Sequence, residues 1–201
     1  MAKKIEEIRN IEKEVLNLTT SPLYEFRVSN NYLPVVGEGS LHAKIMFIGE
    51  APGRNEAKTG RPFCGAAGKI LDKLLGGVGI KRQEVYITNI IKDRPPKNRD
   101  PVPEEVKIYA PFLDRQIEII KPKIIATLGR YAMEYTMTRF GLELELKPIG
   151  KLHGKSFKAK APYGKIEIVI LYHPCVAIYN PHQLPNLKKE FKILIQTKPS
   201  T

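Results

Sequence analysis

The chain has 201 residues, enough for one domain with a full hydrophobic core and too few for two of ordinary size. Its 33 Lys and Arg against 21 Asp and Glu leave a formal charge of +12, which points to a polyanionic partner, nucleic acid ahead of anionic membrane. No apolar run approaches the roughly 18 to 20 residues of a bilayer span, residues 1–10 lack the apolar core of a signal peptide, and two cysteines without a CxxC exclude a disulfide framework or a four-thiolate metal site; the expectation is a soluble, cytoplasmic protein.

In chain order, residues 2–18 read as a helix, and residues 44–50 (KIMFIGE) as a short buried strand. A glycine-rich loop, GEAPGRNEAKTGRPFCG, follows at residues 49–65. Residues 67–75 place Ile70, Leu71, Leu74 and Leu75 at helical spacing. A second strand is expected at 85–91 (VYITNII), followed by KDRPPKNR at 92–99. The helix at 103–120 opens on Pro-Glu-Glu, a good first turn, and stops before Lys121-Pro122. Residues 124–129 (IIATLG) form a third strand, 131–140 a helix stopped by Gly141, 166–172 (IEIVILY) a fourth strand leading into HPCVAIYNP, and 185–196 a last helix.

Strands of this kind, rich in Ile and Val and separated by helices, predict an α/β fold. It is a single domain over residues 1–201, built on a central, mostly parallel four-stranded sheet with helices on both faces. Such a sheet binds its ligand in the crevice at the carboxyl ends of its strands. Those ends carry the glycine-rich loop, KDRPPKNR, Gly129-Arg130 and HPCVAIYNP, where all the chemically interesting residues fall.

The loop does not suit a phosphate. A Walker loop needs Lys followed by Ser or Thr, whereas the nearest Gly-Lys is Gly68-Lys69-Ile70, and Gly49 and Gly53 do not fit G-x-G-x-x-G. Glu50 would set a negative charge where a phosphate should sit. Two carboxylates near a phenylalanine suit instead a flat, polar, uncharged group such as a nucleobase.

GEAPGRNEAKTGRPFCGAAG, YITNIIKDRPPKNRDPVPEE, KPKIIATLG and HPCVAIYNP occur in the order and at the spacing of the family-four uracil-DNA glycosylases, which the chain resembles over nearly its whole length. The resemblance implies a monofunctional glycosylase of base-excision repair that flips uracil out of single- or double-stranded DNA and hydrolyses its N-glycosidic bond. Glu50 would hold or activate the water and face the developing sugar cation. Phe63 would stack on the base, Asn89 would pair with N3-H and O4, and His173 would donate to O2. Glu56 would sit near the 5-carbon, where it excludes the thymine methyl, and Asn98 would order the site, with Ala51 and Gly53 also against the base. Ile178 and Tyr179 occupy the place of the duplex-filling wedge, where the family more often has Leu-Arg. Lys92, Arg94, Lys97 and Arg99 are expected to contact phosphates.

The chain departs from the family at its iron-sulfur cluster. The four cysteine positions correspond to Leu18, Ser21, Asp93 and Tyr109, so no cluster, no metal and no other cofactor is expected. Packing by Leu18 and Tyr109, with Asp93 paired to a cation, is the expected substitute. Cys64 and Cys175, inside two of the motifs, read as small buried hydrophobes. No lysine stands where a lyase would need its Schiff-base nucleophile, which leaves simple hydrolysis by a monomer. Two other readings stand beside this one: a glycosylase for another deaminated base such as hypoxanthine, and a binding module for DNA or uracil that does not turn over.

Overall fold

The runs that read as buried strands are strands because their Ile, Val and Leu side chains are covered on both sides of one sheet. The computed structural model describes residues 2–196. In chain order they form α1 (Ala2–Leu16), α2 (Tyr24–Ser29), β1 (Glu38–Gly39), β2 (Ile45–Gly49), α3 (Arg54–Thr59), α4 (Ala66–Gly77), β3 (Tyr86–Asn89) and α5 (Pro103–Ile120). There follow β4 (Ile124–Leu128), α6 (Arg130–Arg139), α7 (Ile149–Leu152), β5 (Lys155–Ala161), β6 (Gly164–Leu171), α8 (Val176–Tyr179), α9 (Leu184–Phe191) and α10 (Ile193–Gln196).

The sheet has six strands in the order β1-β3-β2-β4-β6-β5 rather than four. The four expected strands are its parallel centre, and both additions are antiparallel edges. Side chains alternate across the centre. Met46 and Ile48 face a cluster with Ile11 and Val15 of α1, Leu113 of α5 and Met133 of α6. Phe47 faces the other way, into a cluster with Leu71 and Leu74 of α4 and Phe191 of α9, whose ring stacks on it at 6.1 Å.

The chain leaves β2 to form β3 on one side and then crosses to form β4 on the other. That reversal opens a crevice beyond the carboxyl ends of these strands, where the connecting segments diverge. The expected last helix is divided at Lys192 into α9 and α10, and the first ends at Leu16 rather than Leu18.

Candidate active site

One cleft of about 340 Å³ lies at those strand ends. The loop after β2 lines it with Glu50, Ala51, Gly53, Glu56 and Phe63. The end of β3 and the segment beyond it add Asn89, Asn98 and Arg99, and His173 enters from the end of β6. Residues up to 125 positions apart in the sequence, Glu50 and Cys175, thus share one cleft because the strands that carry them run parallel. Arg130, the first residue of α6, also lines the cleft. It belongs to no motif, and its position just past β4 was the only sign of it in the sequence.

The loop is shaped by close backbone approaches. Gly49 pairs with Asn89 across β2 and β3, and a Cβ on it would lie 2.3 Å from Asn89 Oδ1 and 2.9 Å from the Phe63 ring, so only glycine lets both side chains close over this point. Phe63 itself is buried with φ +47, a left-handed conformation a bulky residue rarely adopts. Below it, Gly68 of α4 packs so tightly that a Cβ would stand 1.7 Å from the Phe63 carbonyl oxygen. Glu56 Oε1 accepts hydrogen bonds from the backbone N–H groups of Cys64 and Gly65 at 3.0 and 2.8 Å, tying α3 to the carboxyl end of the loop. Cys175 is in the cleft wall and Cys64 is 3.3 Å from the Thr59 hydroxyl; both are partly rather than fully buried, because each sits on a loop at the rim.

The electrostatics differ from group to group. Loss of hydration pushes the Glu50 carboxyl up to about 7, Asp100 adds to the rise and Arg130 opposes it. Loss of hydration holds the His173 imidazole down to about 4, with Glu56 opposing, so the ring is neutral at physiological pH. Its Nδ1 accepts a hydrogen bond from Cys175 N at 3.1 Å, which assigns the ring proton to Nε2 and leaves that nitrogen as the donor. The ring packs at 5.5 Å from Phe63. Asn89 is 2% exposed and its Oδ1 is buried without a hydrogen-bond partner.

Two expected phosphate contacts are corrected. Lys92 is fully buried and cannot reach DNA: its ammonium is turned into the core against Asn89 O, Thr88 and Gln116. Arg94, 7% exposed, donates to Asn98 Oδ1 at 2.7 Å and to Tyr32 OH at 3.0 Å, with its guanidinium over the Tyr32 ring. It orients Asn98, whose own φ is +54. Lys97 is exposed, and Arg99 is half-exposed in an ion pair with Glu105. Ile178 and Tyr179 on α8 are 43% and 87% exposed beside His173.

Three of the positions that would carry cluster ligands, Ser21, Asp93 and Tyr109, form a hydrogen-bonded chain that ends in an ion pair with Arg27. Tyr109 OH donates to Asp93 Oδ2 at 2.6 Å, Ser21 Oγ, 2.7 Å away, donates in turn to Tyr109 OH, and Arg27 Nε lies 3.1 Å from the same Asp93 oxygen. All four side chains are buried, and Leu18 packs against the same core. Loss of hydration raises the Asp93 carboxyl to about 6, with Tyr109 and Arg27 opposing. Two hydroxyls, a leucine and a carboxylate already paired with arginine do not fit an iron-sulfur cluster, which needs thiolates. Among the described residues no group of three or more His, Cys, Asp or Glu is placed to hold a metal ion, and no helix is long and apolar enough to cross a membrane.

A family model for the uracil DNA glycosylase superfamily matches residues 36–196. The chain is 43% identical over 189 residues to a Type-4 uracil-DNA glycosylase of Sulfurisphaera tokodaii, covering 94% of this chain and 83% of the relative. It is 39% identical over 188 residues to a Type-4 uracil-DNA glycosylase of Archaeoglobus fulgidus, covering 94% and 92%. It is 43% identical over 195 residues to another from Saccharolobus solfataricus, covering 95% and 88%. Matched over most of its length in this way, the chain belongs to the uracil DNA glycosylase superfamily.

Proposed function

We propose that the protein is a uracil-DNA glycosylase: it takes uracil out of DNA into the cleft and hydrolyses the bond between N1 of the base and C1′ of the deoxyribose, leaving an abasic site. The observation that carries this reading is the buried, unpaired Oδ1 of Asn89 in a cleft that also holds Glu50 and His173. An acceptor buried without a partner costs about 1 to 3 kcal/mol, and an N–H such as uracil N3-H would satisfy it. Cytosine has no proton at N3, so the same amide disfavours it.

In the proposed reaction the C1′–N1 bond breaks with its electron pair going to the base. Charge that develops on O2 is met by Nε2–H of the neutral His173. Ionised Glu50 faces the cationic sugar and takes a proton from the water that adds to C1′. Phe63 forms the stacking wall. Glu56, fixed by its two backbone hydrogen bonds, stands where a 5-methyl group would have to fit. Ile178 and Tyr179 fill the gap in the duplex, and Lys97, Arg99 and Arg130 are the phosphate contacts that burial leaves available. The reaction consumes only water and requires no cofactor. A monomer acting in the cytoplasm, at the nucleoid, belongs to the same proposal.

Incubation with an oligonucleotide bearing one uracil, then alkali and a sizing gel, tests this reading. Cleavage by the parent that falls sharply in Glu50→Ala supports it. Failure of the parent to cut uracil DNA while cutting hypoxanthine DNA would move the reading to another base, and failure on both with DNA binding intact would make the protein a binder.

A further inference from the structure

Lys92 lies three residues beyond Asn89 and is fully buried. A lysine withdrawn from water is tolerated only where its donors are satisfied. Here Nζ donates to Gln116 Oε1 at 2.6 Å, to Asn89 O at 2.7 Å and to Thr88 Oγ1 at 2.8 Å, one close acceptor for each ammonium proton, with Val36 O farther off at 3.4 Å. The acceptors are themselves held: Thr88 Oγ1 donates to Val36 O at 2.6 Å, and Gln116 Nε2 donates to Val36 O at 2.9 Å and to Tyr86 OH at 3.0 Å. None of the three acceptors is a carboxylate, and burial pushes the ammonium's pKa well down.

As a device for stability alone this is a poor choice, since an apolar side chain of similar volume commonly serves as well or better in a core. Its geometric effect is specific. It fixes the main-chain carbonyl of Asn89 to α5 and to the segment before β1. The Asn89 Oδ1 makes no hydrogen bond of its own, so the backbone that carries the side chain decides where this acceptor stands. We infer that Lys92 is a positioning residue: through its bond to Asn89 O it holds the Asn89 amide in register with the base in the cleft. The inference rests on the glycosylase reading for its consequence but not for its geometry.

Two measurements test it. In a double-mutant cycle, Lys92→Met should slow single-turnover cleavage of a uracil oligonucleotide at least about tenfold when Asn89 is present and less than about twofold in an Asn89→Ala background, because coupled residues are non-additive. Equal losses in both backgrounds would reduce Lys92 to a general structural role and overturn the inference. The second readout needs no turnover: the Asn89 side-chain NH2 signals in a nitrogen-proton spectrum, assigned by their loss in Asn89→Ala, should move or broaden in Lys92→Met while those of exposed Asn17 and Asn30 stay in place. Unchanged Asn89 signals would equally overturn it. Should Lys92→Met fail to fold, Lys92→Gln, which keeps a polar end but is shorter, takes its place in both measurements. A parent that leaves uracil DNA intact would sink the functional reading, and the spectrum would then decide the positioning role by itself.

Discussion

Replacing Glu50 with Gln should abolish cleavage and at the same time make the protein more stable at alkaline pH. The Glu50 carboxyl is lifted from its ordinary value of 4.5 to about 7, chiefly by loss of hydration. A carboxyl that holds its proton more tightly in the folded chain than in the unfolded one opposes folding once ionised. The stability contributed by its protonated form is complete below 4.5 and is lost as pH rises through about 7. At about 1.36 kcal/mol per pH unit the full effect would be about 3 kcal/mol, and solvent screening at a half-buried side chain reduces this to about 1.5 kcal/mol. Glutamine has nearly the same shape and never ionises. Urea unfolding of parent and Glu50→Gln should therefore coincide near pH 4 and separate by about 1.5 kcal/mol at pH 8 in favour of the variant, equivalent to about 3 to 6 °C in Tm for a domain of this size. Equal stability at pH 8, or a less stable variant, would mean that the carboxylate is well solvated or well paired there, and the electrostatic account of the cleft would be wrong. The trade of stability for a poised carboxylate is what a functional site is expected to show.

The single-turnover rate should climb with pH and level off above about 7 as Glu50 ionises, with Asp100→Asn moving the midpoint down and Arg130→Gln moving it up; shifts of the opposite sign would exclude these two residues as its neighbours of consequence. Asp93→Ala, which leaves the buried Arg27 without its carboxylate, should cost about 3 to 5 kcal/mol in urea unfolding, whereas Tyr109→Phe should cost about 1 to 3 kcal/mol. Treating the parent with an iron chelator should leave its melting temperature unchanged, and a large drop would contradict the assignment of that network. Tyr179→Arg should steepen the dependence of DNA affinity on salt by about one in the log-log slope, measured by fluorescence anisotropy; an unaltered slope would show that the α8 tip does not approach a phosphate.

How much of this was legible depended on the range of the interactions concerned. The four central strands showed themselves because burial on both faces demands an unbroken apolar run, as in IVIL of β6. The edge strand β5, KSFKAKA, did not, because its lysines face solvent and its ladder comes from the hairpin with β6. In the loop, α3 is only six residues, too short for a periodic signal, and is closed by Gly60 at φ +71. Glu50 and His173 follow strand ends and Asn89 closes β3, which put them at the cleft edge, while their individual roles came from the resemblance. Lys92 was misread because a lysine beside a proline-rich basic segment resembles a surface contact. Two of its partners, Thr88 and Asn89 O, are close in sequence but give no sign of burial, and Gln116, which completes the set, is 24 residues away. Arg27, the cation for Asp93, was equally invisible by name, although a carboxylate in so apolar a setting required one.

The chain of hydroxyl, phenol, carboxylate and guanidinium that joins Ser21 to Arg27 has a consequence for how the protein is made and kept. Its parts are all encoded in the polypeptide, so this network forms as the chain folds, with no prosthetic group to be inserted between these four side chains. None of its bonds can be lost to an oxidant by electron transfer at the potentials that dismantle metal-sulfur centres.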